Sequence, residues 1–365
     1  MKAVCTQENL NKGLAIVSHI AGKNISLPIL NNILIKARDG FLTLVGTNLD
    51  IGIKTKIRGK IESDGELTVQ ARLLTEYINL LSSQNITLIK KDNDIQIQTN
   101  EQNTVIKGQP ADEYPIIPEV NETDGVLISK ADFKQALDQV IFSASYDDTR
   151  PEISGVYIIV DNNKMFLVAT DSYRLAEKQL EVSSSEYDHI DKIIPLRVLQ
   201  EVLRVLGDKG DIKIYFSDNQ VVFKMDETII ISRLIEGNYP DYKQIIPDGS
   251  KTKAEFNKND LLKLVKAASL FTKTGINDIL IEFEPKGEVK ISAINTQLGE
   301  NKSSMKADIK GEKNKIVFNY KYLVDGLQHM GSSKVELQIT SPEIPAILKP
   351  VGSDDYMYLI MPIRQ

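Results

Sequence analysis

The sequence predicts an α+β protein made of three tandem domains, each with two helices packed on antiparallel sheets. The first observation behind this prediction is an internal repeat, because segments 71–81, 196–206 and 320–330 carry large apolar residues at corresponding positions. Their spacing is 125 and then 124 residues, about a third of the 365-residue chain. A repeat of this length can bury a core of its own, unlike the repeats of about 20 to 50 residues in solenoids.

A second helix-like segment near the start of each repeat supports the same period. Its apolar residues lie at i, i+4 and i+7, the spacing of one face of an amphipathic helix. The three sets are Leu10, Leu14 and Val17; Phe133, Leu137 and Val140; and Leu261, Val265 and Ala268. Each repeat is therefore predicted to contain two helices.

Strand-like runs fill the rest of each repeat. LPILNNILI and FLTLVGTNLDIGIKTKI lie between the two helices of the first repeat, and ISGVYIIV and DILIEF begin the corresponding runs of the second and third. The runs ITLI, DIKIYF and KVELQI follow the second helices. Short turns such as Asp39-Gly40 favour antiparallel hairpins. The order helix, strands, helix, strands is typical of an α+β domain.

The repeat predicts domains over 1–121, 122–249 and 250–365. The first two repeats also end alike, on EYPIIP (113–118) and YPDYKQIIP (239–247). Function is then to be sought in how three like units are arranged.

Composition and cysteine content limit the class of protein. Apolar residues make up 42% of the chain and charged residues 26%, as expected of a soluble protein of two or three domains. Cys5 is the single cysteine, which excludes an internal disulfide and fits a reducing compartment. The first residues lack an apolar core of signal-peptide length, and no apolar run approaches the roughly 18 residues of a membrane span. We therefore expect a cytoplasmic protein with no membrane contact.

The net charge of −6 predicts no whole-molecule attraction to nucleic acid, so a DNA contact requires a local basic surface. The predicted helices carry more basic than acidic residues: Lys12, Lys130, Lys134, Lys258, Lys263, Lys266, Arg72, Arg197, Arg204 and Lys321. These residues either form ordinary solvated helix faces or line one basic face. Lysines without interleaved aromatic residues suit contact with the phosphate backbone better than readout of bases.

Patterns that indicate catalysis are nearly absent. The three histidines, His19, His189 and His329, have no zinc-binding spacing, and His329 falls on an apolar helix position that favours packing. No Walker, Rossmann or GxSxG pattern occurs. The acidic pairs Asp147-Asp148 and Asp354-Asp355 are typical of turns and caps. We expect no catalytic site, no metal and no cofactor.

Two segments allow either a purely structural or a functional interpretation. ATDSYRLA (169–176) is either a hairpin turn or part of a binding site, and YLIMPIRQ (358–365) is either a final core strand or a strand that ends in an exposed apolar patch. An exposed patch containing Met361 would suit varied protein partners.

Several segments together resemble the bacterial DNA polymerase III beta subunit, the sliding clamp family. They are the threefold repeat, LPIL (27–30), ATDSYRLA, IEGNYPDY (235–242), FNYKYLVDGL and the terminal MPIR. The resemblance covers the whole chain in order. It implies three tandem DNA-clamp-type domains that form half of a six-domain ring, a homodimer joined head to tail around double-stranded DNA. It also implies a processivity factor of DNA polymerase III that has no catalytic site of its own.

The resemblance implies a cleft between the second and third domains that binds short peptides. Its partners would be the replicative polymerase alpha subunit, the clamp loader, and other polymerases and repair proteins. The second-domain side comprises Ile153, Thr170, Ser172, Tyr173, Arg174, Leu175, Pro240 and Ile245. The third-domain side comprises Ile276, Asn319, Tyr322, Glu343, Leu359, Ile360, Met361, Pro362 and Arg364. Aliphatic side chains would take apolar anchors, and Arg174 and Arg364 would hold backbone or polar groups.

The resemblance further implies residues that face DNA and residues at the dimer interface. The DNA-facing set is Lys23, Asn24, Arg72, Lys134, Arg150, Arg197, Arg204, Lys263 and Lys266. Leu270 and Phe271 align with apolar interface positions, although their residue types also fit a core. Pro151 and Glu152 replace aromatic DNA-facing residues of the family, and Asn24 stands where an arginine is usual.

The cleft positions also depart from the family pattern. Ser172-Tyr173 replaces Gly-His, Gln244 stands where arginine is frequent, and Ile276 replaces an aromatic residue. Glu343 adds an acid to the rim. These changes leave the clamp function in place but affect peptide preference.

Two alternatives from other classes stay open on the sequence alone. An interaction scaffold of three domains predicts a monomer that DNA does not retain, but it fits a neutral helix face better than a basic one. A nucleic-acid enzyme that uses the acidic pairs predicts metal-dependent turnover, lost in Asp147→Ala or Asp354→Ala. The sequence offers no coherent ligand set for that enzyme.

Overall fold

The structure is a computed structural model that describes residues 1–22, 26–117, 125–147 and 149–364. Its described part contains six α-helices, which form three pairs in chain order. They are α1 Gln7–Val17, α2 Ala71–Leu80, α3 Lys130–Val140, α4 Leu196–Val205, α5 Lys258–Ser269 and α6 Tyr320–His329. All six coincide with the helices predicted from apolar spacing, so the threefold repeat is confirmed at the level of secondary structure.

Strands account for most of the remaining chain. In the first repeat they are β1 Lys2–Thr6, β2 Asn32–Arg38, β3 Phe41–Thr47, β4 Ile51–Arg58, β5 Lys60–Ser63, β6 Gly65–Gln70, β7 Asn85–Lys91, β8 Asp94–Gln98, β9 Asn103–Ile106 and β10 Gly108–Gln109. In the second they are β11 Val126–Ser129, β12 Gly155–Asp161, β13 Lys164–Thr170, β14 Arg174–Glu181, β15 Ser184–Ser185, β16 His189–Pro195, β17 Asp211–Phe216, β18 Gln220–Met225 and β19 Thr228–Arg233. In the third they are β20 Thr252–Asn257, β21 Asp278–Glu284, β22 Glu288–Asn295, β23 Gly299–Lys306, β24 Asp308–Gly311, β25 Asn314–Asn319, β26 Lys334–Ile339, β27 Ala346–Pro350 and β28 Tyr356–Ile360.

The chain folds into two compact units that do not coincide with the three repeats. The first unit comprises residues 1–130 and 204–234, and the second comprises 131–203 and 235–365. Each unit combines one whole repeat with part of the second repeat. The reason is strand pairing, because β4 of the first repeat pairs with β19 of the second, and β14 of the second pairs with β28 of the third.

The first unit contains two antiparallel sheets. One has the strand order β5-β1-β7-β8-β9, and the other runs β10-β6-β2-β3-β4-β19-β18-β17-β11 within this unit. Helix α1 buries Leu10, Leu14 and Val17, the apolar face that the sequence predicts. Thr6 caps this helix by accepting a hydrogen bond from the Asn9 N–H at 3.3 Å. The hairpin between β2 and β3 turns at Asp39 and Gly40, whose φ angles of 53° and 78° suit the predicted tight turn.

The second unit is built in the same way. Its larger sheet has the order β16-β12-β13-β14-β28-β27-β26-β20-β24, and its smaller sheet has the order β23-β22-β21-β25. Helix α5 buries Leu261, Val265 and Ala268, again the predicted face. His329 at the end of α6 stacks on Phe142 with ring centroids 4.1 Å apart, which confirms the packed histidine.

No helix in the described ranges is long and apolar enough to cross a membrane.

The close contact between α6 and β28 makes Gly326 intolerant of a side chain. A Cβ atom at this position would lie 2.2 Å from Cε1 of Tyr358, whose ring is fully buried and whose hydroxyl donates to the Tyr322 carbonyl at 2.8 Å. We expect Gly326→Ala to lower the free energy of unfolding by about 1–3 kcal/mol through overpacking, measured by thermal unfolding. Gly207→Ala is the control, since its Cβ meets nothing within 4 Å. An unchanged midpoint for Gly326→Ala would contradict this packing.

Cys5 lies buried on β1, and burial raises the pKa of its thiol to about 12 from 9.0. The thiolate is the nucleophile that attacks thiol reagents, so the native protein should react with them at pH 8 far more slowly than the chain unfolded in guanidinium.

The raised pKa of Cys5 also predicts a pH dependence of stability. Between pH 9.0 and about 12 the thiol ionises in the unfolded chain but not in the folded one, so stability falls as pH rises. Urea unfolding at pH 8 and pH 10.5 should show a larger decline for the native chain than for Cys5→Ala. Equal declines would refute the raised pKa.

Candidate functional site

The turn at 170–174 joins β13 to β14 and is held by hydrogen bonds within itself. The Thr170 hydroxyl donates to the Arg174 carbonyl at 2.7 Å, and Asp171 Oδ1 accepts from the N–H groups of Tyr173 and Arg174 at 3.0 Å each. Ser172 has a φ of 78°, a conformation that costs a residue with a Cβ atom some free energy. The predicted hairpin is therefore present, and it projects Tyr173 outward with 61% of its surface exposed.

Arg174 is the most densely contacted cation near this turn. Its Nε donates to Asp171 Oδ2 at 2.9 Å, and one terminal nitrogen donates to Asp325 Oδ2 at 2.5 Å. The guanidinium carbon lies 4.9 Å from the ring centroid of Tyr322 and 5.5 Å from that of Phe142. A planar cation held between rings and two carboxylates has little freedom to turn toward a ligand. Its observed contacts make it a support that connects β14 to α6.

The residues after β28 continue its pairing. Arg174 lies opposite Ile360 in the β14–β28 ladder, and the Met361 N–H donates to the Tyr173 carbonyl at 2.9 Å. The Ile363 N–H donates to the Val317 carbonyl at 2.8 Å. Residues 361–363 are thus fixed between the 170–174 turn and β25. Met361, Pro362 and Ile363 are each half-buried, so part of their apolar surface stays accessible.

The segment 239–246 covers one face of the larger sheet beside these residues. Tyr242 packs on Val168, Leu175 and Leu359, and its hydroxyl donates to Glu177 Oε2 at 2.5 Å. Burial, followed by this hydrogen bond, raises the pKa of Tyr242. The ring of Tyr239 stacks on Tyr157 at 4.7 Å between centroids. Burial and a hydrogen bond to Asp191 raise the pKa of Tyr157 to about 12, so the phenol is neutral at physiological pH.

The predicted cleft residues divide by exposure into a floor and a rim. Ile153, Thr170, Leu175, Leu359 and Ile360 are buried. The half-buried members are Arg174, Asn319, Tyr322, Met361 and Pro362. The exposed members are Ser172, Tyr173, Pro240, Ile245, Ile276, Glu343 and Arg364. The contacts above bring together the 170–174 turn, Tyr322 and residues 359–361. We term these residues the candidate cleft, together with the exposed Ile245 of the covering segment and Ile276 beside the start of α6.

Two of the remaining third-repeat residues line a different feature. Glu343 and Arg364 line a cavity of about 210 Å³ together with Leu280, Val317 and Ile363. Asn319 caps α6, since its side chain accepts from the Lys321 N–H at 3.0 Å. Ile276 precedes Asn277, whose carbonyl accepts from the Tyr320 N–H at 2.8 Å, so Ile276 lies beside the start of α6.

The predicted DNA-facing residues have varied surroundings. Lys23 and Asn24 lie outside the described residues. Arg72, Arg150, Arg197, Arg204, Lys263 and Lys266 are exposed, and Lys134 is half-buried. The guanidinium of Arg204 donates to the carbonyls of Ala15 and Ile16 at 3.0 and 2.8 Å, in the last turn of α1. Arg150 donates to the Ser172 hydroxyl at 2.7 Å and so contacts the candidate cleft.

The predicted interface residues follow α5. Leu270 is 71% exposed and Phe271 is half-buried, so neither belongs to the fully buried core.

The acidic pairs are engaged in turns and ion pairs. Asp147 accepts from the N–H and hydroxyl of Thr149, Asp354 pairs with Lys349 at 2.7 Å, and Asp355 contacts Lys178. Asp148 lies outside the described residues. Within the ranges that the structure describes, no group of three or more His, Cys, Asp or Glu side chains is arranged to hold a metal.

Sequence reasoning missed the residues that organise the candidate cleft. Asp325 lies 151 residues from Arg174, and nothing local marks the two as partners. Glu177 and Tyr242 were likewise not identified. For Tyr242 a signal existed, because the YPDYKQIIP segment corresponds to EYPIIP of the first repeat but carries a second tyrosine after the shared Tyr-Pro pair.

Removing the Asp325 carboxylate should destabilise the second unit. Arg174 is only 13% exposed, so losing one of its two carboxylate partners leaves a largely buried charge less well paired. We expect Asp325→Ala to lower the free energy of unfolding by about 2 kcal/mol, measured in urea. The matched control is Glu76→Ala, which breaks the exposed Arg72–Glu76 pair and should change stability by less than about 0.5 kcal/mol. Equal effects of the two variants would refute the structural role of Arg174.

Comparison with known proteins places the chain in a family. Family models exist for the N-terminal, central and C-terminal domains of the DNA polymerase III beta subunit. They match residues 1–118, 127–241 and 243–364 of this chain, in that order. The chain is 33% identical over 353 residues to a beta sliding clamp of Staphylococcus epidermidis, covering 93% of each chain. It is 29% identical over 388 residues to one of Synechocystis, covering 100% of this chain and 99% of the relative. The crystal structure of the DNA polymerase sliding clamp from Bacillus subtilis matches with a TM-score of 0.96 and 27% identity, over 100% of this chain and 99% of that one. The chain therefore belongs to the DNA polymerase III beta subunit family of bacterial sliding clamps.

Proposed function

We propose that two copies of this chain form a head-to-tail ring around double-stranded DNA and tether the replicative polymerase to its template. The observation that carries this proposal is the match to all three clamp domains, in order and over nearly the whole chain. The protein is a processivity factor and acts through topology rather than catalysis, with no metal or cofactor. A tethered polymerase that releases the primer rebinds at high effective concentration instead of diffusing away.

The proposed domains are 1–121, 122–249 and 250–365. Each contains one of the three helix pairs, and the family models support divisions close to these positions. Strand pairs such as β4 with β19 connect neighbouring repeats, so the domains share continuous sheets.

Ring closure is supported by strands at the ends of two sheets. β9 ends one sheet of the first unit and β23 ends the smaller sheet of the second. A free edge invites pairing with another chain, and a head-to-tail contact between two chains of three domains would close and cover both edges. Leu270 and Phe271 supply apolar surface for this interface, since Leu270 is 71% exposed.

The proposed DNA contact relies on exposed basic residues of the helices. Arg72, Arg197, Lys263 and Lys266 are exposed on α2, α4 and α5. Exposed cations bind phosphates without reading bases, and each neutralised phosphate contributes a log–log salt slope of about −0.9. A few such weak contacts allow the ring to slide along the duplex. The ring stays on the DNA because it encircles it.

The candidate cleft is the proposed docking site for short peptides of the polymerase alpha subunit, the clamp loader, other polymerases and repair proteins. Its support is a rim of exposed apolar side chains, Tyr173, Ile245 and Ile276, over a buried floor. Burial of about 400 Å² of apolar surface would contribute roughly 10 kcal/mol before ordering costs. After those costs an affinity near micromolar is expected, so that partners exchange.

Replication takes place on cytoplasmic DNA in bacteria, and we infer a cytoplasmic location.

Retention on circular but not linear DNA tests the proposed ring. The protein is loaded on a nicked plasmid by its matching clamp loader and filtered at a salt concentration that removes nonspecific binders. We expect the protein to stay on circles and to slide off within minutes after linearisation. Proteins bound at both ends of the linear DNA should restore retention.

Equal loss from circles and linear DNA, with loader activity verified, would overturn the ring. A monomer at all concentrations would then favour an interaction scaffold. Metal-dependent turnover abolished in Asp354→Ala would favour a nucleic-acid enzyme.

A further inference from the structure

The first unit contains an open groove outside the candidate cleft. It has a volume of about 740 Å³ and lies on the face of the larger sheet opposite α1, beside the segment 111–117. Val45, Val222, Ile229 and Ile231 supply apolar walls, and Lys54 lies among them. We term this the first-unit groove.

The groove is the structural counterpart of the surface beneath Tyr242 in the second unit. In the first unit Val45 lies opposite Lys54, which lies opposite Ile229. In the second unit Val168 lies opposite Glu177, which lies opposite Met357. The repeats thus place equivalent strands in the same register, and each carries a covering segment that contains a Tyr-Pro pair, Tyr114-Pro115 or Tyr239-Pro240.

The second-unit covering segment carries an additional tyrosine that segment 111–117 lacks, and this difference leaves the first-unit groove open. Tyr114 and Tyr239 are held alike, since Tyr114 donates to the backbone carbonyls of Asn32 and Val45 at 3.2 Å each and Tyr239 donates to that of Val168 at 3.5 Å. The additional tyrosine, Tyr242, reaches the side chain of Glu177 on β14 and covers the strip between β14 and β28. The β4–β19 strip is left accessible. Ile231 is accordingly half-buried, whereas its counterpart Leu359 is fully buried.

The groove also has the opposite charge at its centre. Lys54 stands in the position of Glu177, half-buried between Val45 and Ile229. Two acids also line the groove: Glu66 pairs with Lys36 at 2.9 Å, and Asp112 is exposed on the covering segment. No carboxylate of the described residues forms an ion pair with Lys54. A lysine on an apolar floor favours a ligand that carries a carboxylate next to aliphatic side chains.

We propose that the first-unit groove binds a short segment of a partner protein that combines adjacent aliphatic side chains with an acidic residue. The aliphatic side chains pack on Val222, Ile229 and Ile231, and the carboxylate pairs with Lys54. Because Tyr242 covers the equivalent strip in the second unit, this strip is open only in the first unit. The first-unit groove and the candidate cleft lie in different units and can hold different partners at the same time.

Isoleucine-methyl NMR of the full chain tests this proposal, with the peptide acetyl-Glu-Leu-Leu-Glu-amide as probe. The methyl signals of Ile229 and Ile231 report on the first-unit groove, and those of Ile245 and Ile276 report on the candidate cleft. We expect the Ile229 and Ile231 signals to shift saturably. The same peptide with glutamine in place of glutamate should bind at least about fivefold more weakly.

The role of Lys54 is tested by comparing a charge-reversal variant at this residue with a matched control variant. Lys54→Glu should weaken binding at the groove at least tenfold. Lys56→Glu makes the same change on the same face of β4, but Lys56 lies over the Phe41 ring at 5.8 Å and is not part of the groove. This control should change affinity less than threefold.

Three outcomes would overturn the proposal. The first is the absence of Ile229 and Ile231 shifts at millimolar peptide, or shifts confined to Ile245 and Ile276. The second is an equal effect of Lys54→Glu and Lys56→Glu. The third is a shift of the same signals with protein concentration alone, which would make a second copy of this chain the occupant. None of these outcomes bears on retention on circular DNA, so the groove and the ring fail independently.

Discussion

Backbone hydrogen bonding between strands of different repeats is the interaction on which the rest of this structure depends. β4 pairs with β19 in the first unit, and β14 pairs with β28 in the second, so one sheet in each unit contains strands from two repeats. Without these ladders every repeat would end in exposed strand edges. With them, the surface at the end of one repeat lies directly beside the next. The candidate cleft and the first-unit groove both occur at such a join.

The candidate cleft shows how a polar cluster can position an apolar binding surface. Arg174 connects the 170–174 turn to Asp325 on α6, and the same turn accepts the Met361 N–H. A buried ion pair of this kind contributes little net stability, because desolvation of both groups offsets their attraction. Its geometry is demanding, however, since a planar guanidinium must meet two carboxylates and two aromatic rings. The cluster therefore specifies where the exposed Tyr173 and the half-buried Met361 lie.

Repetition with divergence explains why equivalent surfaces in the two units differ. The register of β3, β4 and β19 is matched by that of β13, β14 and β28, so each side chain has a counterpart. Lys54 in the place of Glu177 changes the charge of the surface, and segment 111–117 has no counterpart of Tyr242 to cover it. Two units with the same strand arrangement can in this way present surfaces of different chemistry without any change of fold.

The helix pairs, the threefold repeat and the α+β class follow from short-range patterns in the sequence. Apolar spacing along α1, α3 and α5 depends only on residues within one or two turns, and the Asp39-Gly40 turn is equally local. Resemblance to the family supplied the members of the candidate cleft, but not their roles as floor, rim or support. Packing in three dimensions brings Arg174 to Asp325, 151 residues away, and Thr55 to Thr228 across the β4–β19 join. The physical reason is that such contacts are set by how distant strands and helices pack, and no short-range pattern in the chain records that packing.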